Sequence, residues 1–378
     1  MVSIIPYIPK NITVHLGPPD SYAPNVVVPF DEYVKNVASS EIYPTWDESA
    51  LRANILAITS FALNRFYTEF YRSRGYNFDI TSETNIDQKY IDGRNYFDSV
   101  SELVDELYTS YIRRTGFIEP LAAKFCNGTT VTCPGLSQWG SQELAEQGLN
   151  SVQILRRYYG DNIEIVRNAP VRGYTPSYPG TPLRVGSRGA KVLQAQIILN
   201  RIGRNYPAIP PISPEDGIFG PQTEAAVLAL QRIFNLTPDG VIGRATWNQM
   251  EQLYVAVNQL NELESLGQTY ISFDWRPPNS LQEGSRGQQV RQLQYLLQVL
   301  SDYISTVPRI EIDGIFGPKT QAAVIAYQRF AGLTPDGIVG AATWNSMRNR
   351  VAGILGTTES SFLQYPGRPL RLNDRDII

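Results

Sequence analysis

One glutamate sets the chemistry to look for. Glu41 is followed by Ile42, Tyr43 and Pro44, so it stands where the helix-spaced residues Tyr33, Val34 and Val37 give way to a helix-breaking proline. Downstream, Asp47 or Glu48 opens a second helix with Leu51, Ile55, Ile58, Ala62 and Phe66 on one face and Arg52 and Asn54 projecting elsewhere. A carboxyl held between two packed helices, beside Tyr43 and Trp46, is expected to lose part of its water. Desolvation raises a carboxyl pKa, and a raised pKa lets such a group donate a proton near neutral pH. The same spacing also fits a solvated glutamate ending a helix, where most acids are structural.

Other chemistries have less to work with. His15 is the single histidine, which is too few for a zinc amidase built on two and leaves any Ser-His or Cys-His machinery resting on it alone. It falls in a predicted strand, Ile12 to Leu16, where a half-buried structural role is the expectation. Cys126 and Cys133 bracket the polar stretch Asn127 to Thr132, and they either close a small disulfide loop in an oxidising space or stand unpaired. No histidine lies near them in sequence, so no metal and no cofactor is expected.

The elements that position these residues are spread over a chain of 378 residues, long enough for two or three domains with separate cores. Apolar residues make up 42% of it and the net charge is -3, which gives no basic footprint for nucleic acid. No run is long enough to span a membrane, and the opening MVSIIPYIPKNITV lacks the basic leader and apolar core of a secretory signal. Such a protein is expected to be made in the cytoplasm, and export would need another route.

Residues 1–168 read as an α+β domain, mostly helical, with strands at Ile12 to Leu16, Asn25 to Val28 and Ile163 to Val166. A third helix is expected over Val100 to Arg113, and Gly116 to Phe125 as extended chain. Ser137 fits the N-cap of a helix running to about Gln147, and Ser151 the cap of the next, through Tyr159. A helix start offers unpaired N–H groups to acceptor oxygens, so Ser137 and Gln138 are candidate ligand contacts as well as caps.

From 169 to 182 the composition turns to APVRGYTPSYPGTP, a stiff, exposed linker. A duplication comes next, at 183–256 and 281–351, with a tail at 352–378. Leu183 to Gly189 returns as Leu281 to Gly287, and Asp216-Gly217-Ile218-Phe219-Gly220-Pro221 returns as Asp313-Gly314-Ile315-Phe316-Gly317-Pro318. The second pair is offset by 97 (313 minus 216), as are Trp247 and Trp344 (344 minus 247). Each copy reads as a small three-helix, all-α module whose Asp-Gly turns launch the next helix and whose tryptophan packs the core. Tyr365 to Arg371 echoes Tyr178 to Arg184, like the start of a third copy.

These motifs carry two resemblances. Val28, Pro29, Phe30, Glu32, Tyr33, Val34, Val37 and Glu41 fall in order on V-P-L-x-(D/E)-Y-V-x-x-V-x-x-x-E, the opening of the SpoIID/LytB domain named for a stage II sporulation protein. Gly135 to Gly140 is similar to the same family's G-M-S-Q-(Y/W)-G, and Ala145, Gly148, Ile154, Leu155, Tyr158 and Tyr159 fall on its downstream A-x-x-G and I-L-x-x-Y-Y. Both repeats resemble the type 1 peptidoglycan-binding domain, through L-x-x-G-x-x-G, D-G-x-F-G-x-x-T and a late D-G-x-x-G-x-x-T-W.

The resemblance implies a lytic transglycosylase acting on peptidoglycan glycan strands, with Glu41 as the catalytic acid. Tyr43, Arg52, Ser137 and Gln138 make up the expected substrate-binding set. The chain departs from the pattern at Thr59, where the family has arginine, at Asn54 for glutamine, at Arg52 for lysine and at Thr132 for histidine. Some relatives hold zinc with a histidine and two cysteines near Cys126 and Cys133. Those departures keep open a non-catalytic wall or spore protein and a regulator of an amidase, either of which would meet other cell-wall or spore proteins.

Overall fold

The computed structural model describes residues 6–115, 117–213, 215, 217–265, 280–301, 304–311 and 313–354. They fall into two compact units, one holding the N-terminal domain with the first repeat and the other the second repeat. The echo at Tyr365 to Arg371 lies outside the described residues.

β1 (Ile8–Pro9) leads into β2 (Asn11–His15), which pairs antiparallel with β3 (Asn25–Pro29), Ile12 facing Val28 and Val14 facing Val26. The period-two alternation turns Ile12 and Val14 into the core. His15, at the end of β2, is buried against Phe78 and bonded through Nδ1 to Asn25 Oδ1 (2.8 Å), a structural position.

α1 (Phe30–Glu41) buries Phe30, Tyr33, Val34, Val37 and Ala38 and ends on the glutamate, as Pro44 requires. α2 (Glu48–Tyr67) starts from Asp47, whose side chain accepts from the Ser49 amide (2.8 Å). One apolar face proves too few for this helix. Ile55, Ile58, Ala62 and Phe66 pack into a cluster with α1, while Ala53, Leu56 and Ala57 pack on the other side against Ile112, Leu121, Ile154 and Leu155. A helix enclosed on both sides can hold the surrounding elements in fixed places.

Beyond α2 come a short 3-10 helix (Arg72–Arg74), β4 (Ile80–Thr81) parallel to β2, and α3 (Asp98–Leu107). The helix expected through Arg113 stops at Leu107 because Tyr111–Arg114 forms β5. After it come β6 (Phe125–Cys126), β7 (Leu136–Ser137), α4 (Gln138–Glu146), α5 (Ser151–Tyr159), β8 (Ile163–Val166) and β9 (Val171–Arg172). β5 pairs antiparallel with β8, a ladder that outweighs helical spacing at Tyr111, and β9 pairs with β1. Of the expected extended stretch only Phe125 begins a strand, and Gly116 lies outside the described residues. Asn150, not Ser151, caps α5, because Gln153 completes a capping box with it.

The first repeat holds α6 (Ala190–Gly203), α7 (Pro221–Ile233) and α8 (Arg244–Val257), and the second α9 (Gln288–Ser301), α10 (Pro318–Phe330) and α11 (Ala341–Ile354). Trp247 and Trp344 are fully buried in the two cores. A buried glutamine secures each glycine turn: Gln196, Gln231, Gln294 and Gln328 accept through Oε1 from the amides of Gly217, Gly240, Gly314 and Gly337 at 2.8–2.9 Å. Those four glycines have φ between 71 and 77, the left-handed region that favours glycine. Hydrogen bonds to Gln231, Gln294 and Gln328 and to backbone amides hold Asp239, Asp313 and Asp336 below the usual carboxylate range.

Candidate functional site

Two separate stretches of chain close on the end of α1. Glu41 is half-buried there, and its Oε1 accepts from the Lys89 amide (2.9 Å) and from Thr84 Oγ1 (3.2 Å). Its Oε2 accepts from Gln138 Nε2 at 3.2 Å, across a sequence separation of 97.

The loop carrying Thr84 and Lys89 is pinned from below. Asp87 is buried and takes bonds from Arg65 Nε (2.8 Å), Tyr71 (2.6 Å) and Thr81 Oγ1 (2.8 Å). Gln88 accepts from the Tyr33 hydroxyl of α1 (2.9 Å) and donates to the Ile58 carbonyl of α2 (3.0 Å). Asn36 exchanges two bonds with the backbone of Ile91, at 2.7 and 2.9 Å. Each anchor is a side chain of α1 or α2, or reaches one, so the donors meet Glu41 without ordering a free loop.

The opposite wall is the start of α4. Gln138 is 3% exposed, and its carbonyl accepts from Ser141 Oγ (2.6 Å), which in turn accepts from Asn54 Nδ2 of α2 (2.8 Å). Ser137 caps this helix by accepting from the Gly140 amide (3.0 Å), and the Tyr158 hydroxyl also bonds to it. Gly140 admits that hydroxyl: a Cβ there would stand 2.2 Å from Tyr158 Oη. Thus Ser137 is held inside the turn, while Gln138 reaches the carboxylate.

Aromatic rings cluster alongside. Tyr43, just past Glu41, lies 5.7 Å from both Trp46 and Trp139, and the two indoles are 5.1 Å apart. Tyr43 is 57% and Trp139 40% exposed, so solvent meets ring surface beside the acid. Rings of this kind offer apolar faces to the C–H faces of sugars while their polar edges stay wet.

Arg52 is placed otherwise. Its guanidinium bonds Glu48 (2.6 Å) and, bidentately, Glu106 of α3 (2.6 and 2.8 Å), so its fork is occupied within the protein. Asn54 and Thr59 are buried on α2, and Thr132 is exposed. Sequence reasoning missed Thr84, Lys89 and Trp139 as neighbours of the site, and gave Trp46 no binding role.

Cys126 and Cys133 form a disulfide. The loop it closes leans on the site, for Asn127 O accepts from the Trp139 amide (3.2 Å) and β6 pairs with β7 directly before Gln138. With both thiols bonded to each other and His15 tied to Asn25, the zinc donor set of some relatives does not fit here. Among the described residues no group of three or more His, Cys, Asp or Glu could hold a metal ion, and no helix is long and apolar enough to cross a membrane.

Comparison with known proteins agrees with this arrangement of domains. Residues 21–112 match the stage II sporulation protein family, and residues 188–250 and 286–347 each match the peptidoglycan binding domain. The first match stops at Ile112, so Gln138 enters the site through geometry. Over 319 residues the chain is 26% identical to the N-acetylmuramoyl-L-alanine amidase CwlL of Bacillus licheniformis, spanning 82% of this chain and 83% of that one. A stretch of 68 residues is 47% identical to the zinc D-Ala-D-Ala carboxypeptidase of Streptomyces albus G, or 18% of this chain and 26% of that protein. The solved N-terminal domain of SleB is 31% identical, covering 20% of this chain and 96% of that one with a TM-score of 0.17.

Proposed function

For a cell-wall protein that joins a stage II sporulation protein domain to two peptidoglycan binding domains, we propose lytic cleavage of peptidoglycan glycan strands, with Glu41 as the single acid and base. Glu41 in its protonated form gives its proton to the bridging glycosidic oxygen as that bond breaks. The carboxylate left behind then takes the proton of the muramyl C6 hydroxyl, whose oxygen closes on the anomeric carbon. One carboxyl serves both steps where ordinary glycosidases use two, because the second nucleophile comes from the sugar itself. Gln138 orients the carboxylate, Tyr43 and Trp139 offer ring faces to the strand, and the two repeats raise the local concentration of wall polymer.

The observation that carries this reading is the meeting of Glu41 with Gln138 beside exposed aromatic rings. Glycan strands stripped of their peptides test it. The wild-type protein should release fragments with anhydro-muramyl ends, and Glu41→Gln should not. Strands left intact by the wild type would overturn the reading.

A second reading, a non-catalytic wall or spore protein or a regulator of an amidase, is favoured by one feature. Arg52, expected to touch substrate, is committed to Glu48 and Glu106. Retention on purified sacculi without release of soluble fragments would support it.

A further inference from the structure

The first repeat meets the N-terminal domain across a continuous seam. Ser177, from the stretch expected to be an exposed linker, is 1% exposed and bonded through every polar atom it has. Its amide and hydroxyl go to the Glu69 carboxylate just past α2 (3.1 and 2.5 Å), its hydroxyl accepts from Trp247 Nε1 of α8 (2.9 Å), and its carbonyl accepts from Lys191 Nζ of α6. Glu69 itself is buried and holds the left-handed backbone (φ 47), a conformation a glutamate keeps only where its surroundings fix it. Burial pushes Lys191 down to about 8, against the attraction of Glu251 and Glu69.

Further contacts extend the seam along α8 and the chain after it. Gln252 donates to the Ser73 carbonyl (2.5 Å), Asn64 to the Leu260 carbonyl (2.8 Å), Arg114 to the Leu263 carbonyl (2.8 and 3.1 Å) and Ser265 to Glu119 (2.8 Å). Leu263 packs against the domain's own cluster of Ile112, Leu121 and Ile154. Buried groups of the domain, Asn64, Arg114 and Glu119 among them, thus take partners from the chain directly after α8. Undocking would leave such groups to find new partners.

The duplication differs where this seam runs. Lys191 corresponds to Gln289 at the offset of Leu183 and Leu281 (98), and Glu251 and Gln252 correspond to Arg348 and Asn349 at the offset of Trp247 and Trp344 (97). The turn glutamines, by contrast, are kept in both copies. Trp247, which serves both the core and the seam, returns as Trp344, whereas Lys191, Glu251 and Gln252 do not repeat.

We propose that the first peptidoglycan-binding repeat is a fixed arm of the N-terminal domain, docked through α8 and residues 258–265, and not a unit moving on a tether. Wall polymer held by this arm then meets the domain in one orientation. Linker-length arithmetic does not describe the pair, since no chain is left free between them to set an effective concentration. The indole N–H of Trp247 belongs to this seam, which gives it a docking role beside its place in the core.

Hydrogen exchange on the full chain tests the proposal. In the wild type, the amide of Ser177 and those of 258–265 should be strongly protected. Ser177→Ala should raise exchange at residue 177 and at 258–265 at least tenfold while α10 keeps its wild-type rate. Should that variant fail to fold, Gln252→Ala offers a milder cut at the same seam and should raise exchange at 258–265 alone. Inserting a short Gly-Ser run after the exposed Gly180 lengthens a tether but not a docked arm, so protection of 258–265 should survive it. Free-chain exchange at the Ser177 amide in the wild type, exchange unchanged in both variants, or protection lost on insertion would each overturn the proposal.

Discussion

Gln294→Leu should cripple the second repeat and leave everything else standing. Gln294 is 1% exposed, accepts from the Gly314 amide (2.8 Å) and donates to Asp313 Oδ1 (2.7 Å) and the Ile315 carbonyl (3.0 Å), with Thr320 Oγ1 3.1 Å away. Leucine nearly matches the volume, so little cavity results and the loss is polar. An orphaned buried amide costs about 1–3 kcal/mol, and the lost bond to the Asp313 carboxylate adds on the order of 1 kcal/mol. The sum, about 3 kcal/mol, is half or more of the roughly 5 kcal/mol that a module of about 70 residues holds in all. Hydrogen exchange resolved by peptide should then show α9, α10 and α11 opening roughly 100-fold more often, while α7 and α8 keep their wild-type rates. A change below about twofold in the second repeat would refute the assignment of the glutamine as the turn's fastener.

The geometry carries three further expected outcomes. Trp139→Ala should weaken binding of peptide-stripped glycan strands by about 2- to 10-fold, on the 0.5–1.5 kcal/mol scale of aromatic contacts, with far-ultraviolet circular dichroism unchanged; equal affinity would remove the ring cluster from the site. Replacing Cys126 and Cys133 by serine reopens a loop closed over a sequence separation of 7, at about 2 kcal/mol, and exchange of the Trp139 amide should rise with it. Asp239, Asp313 and Asp336 have carboxyl pKa values lowered in the folded state, so their contribution is complete above the unfolded value of about 3.9 and disappears as pH falls through the folded values. Both repeats should therefore show flat stability from pH 7 to about 5 and lose it below about 4, and unfolding midpoints that fell steadily from pH 7 would contradict this.

What the sequence revealed was mostly local. Pro44 fixed where α1 ends, the Ser137 hydroxyl marked the start of α4, and alternation marked Ile163–Val166 as a strand. Glu41 and Gln138 were each singled out by motif, though their hydrogen bond spans 97 residues and needed the fold to bring it about. The Lys89 donor is a backbone amide, which no side chain advertises. Trp46 and Trp139 meet where α2 and α4 are tied together, by the Asp47 amide donating to Gln142 Oε1 (2.8 Å) and by Asn54 donating to Ser141 (2.8 Å). Tyr111 sat on a helical stripe until the ladder with Val166 claimed it. The turn glutamines were there to be found, since Gln196 and Gln294 stand at the same offset as Leu183 and Leu281 (98). Ser177 looked like ordinary linker polarity, and nothing short of its burial reveals the seam.

The most direct test of the account is a paired measurement on one sample: anhydro-muramyl ends released from purified sacculi, and protein retained on the same sacculi, for wild type and Glu41→Gln. Release should fall by at least 100-fold in the variant while retention stays equal, because the repeats that hold the wall do not include the carboxyl. Equal release from both proteins, or none from a wild type that is fully bound, would contradict the assignment of Glu41 as the group that cuts.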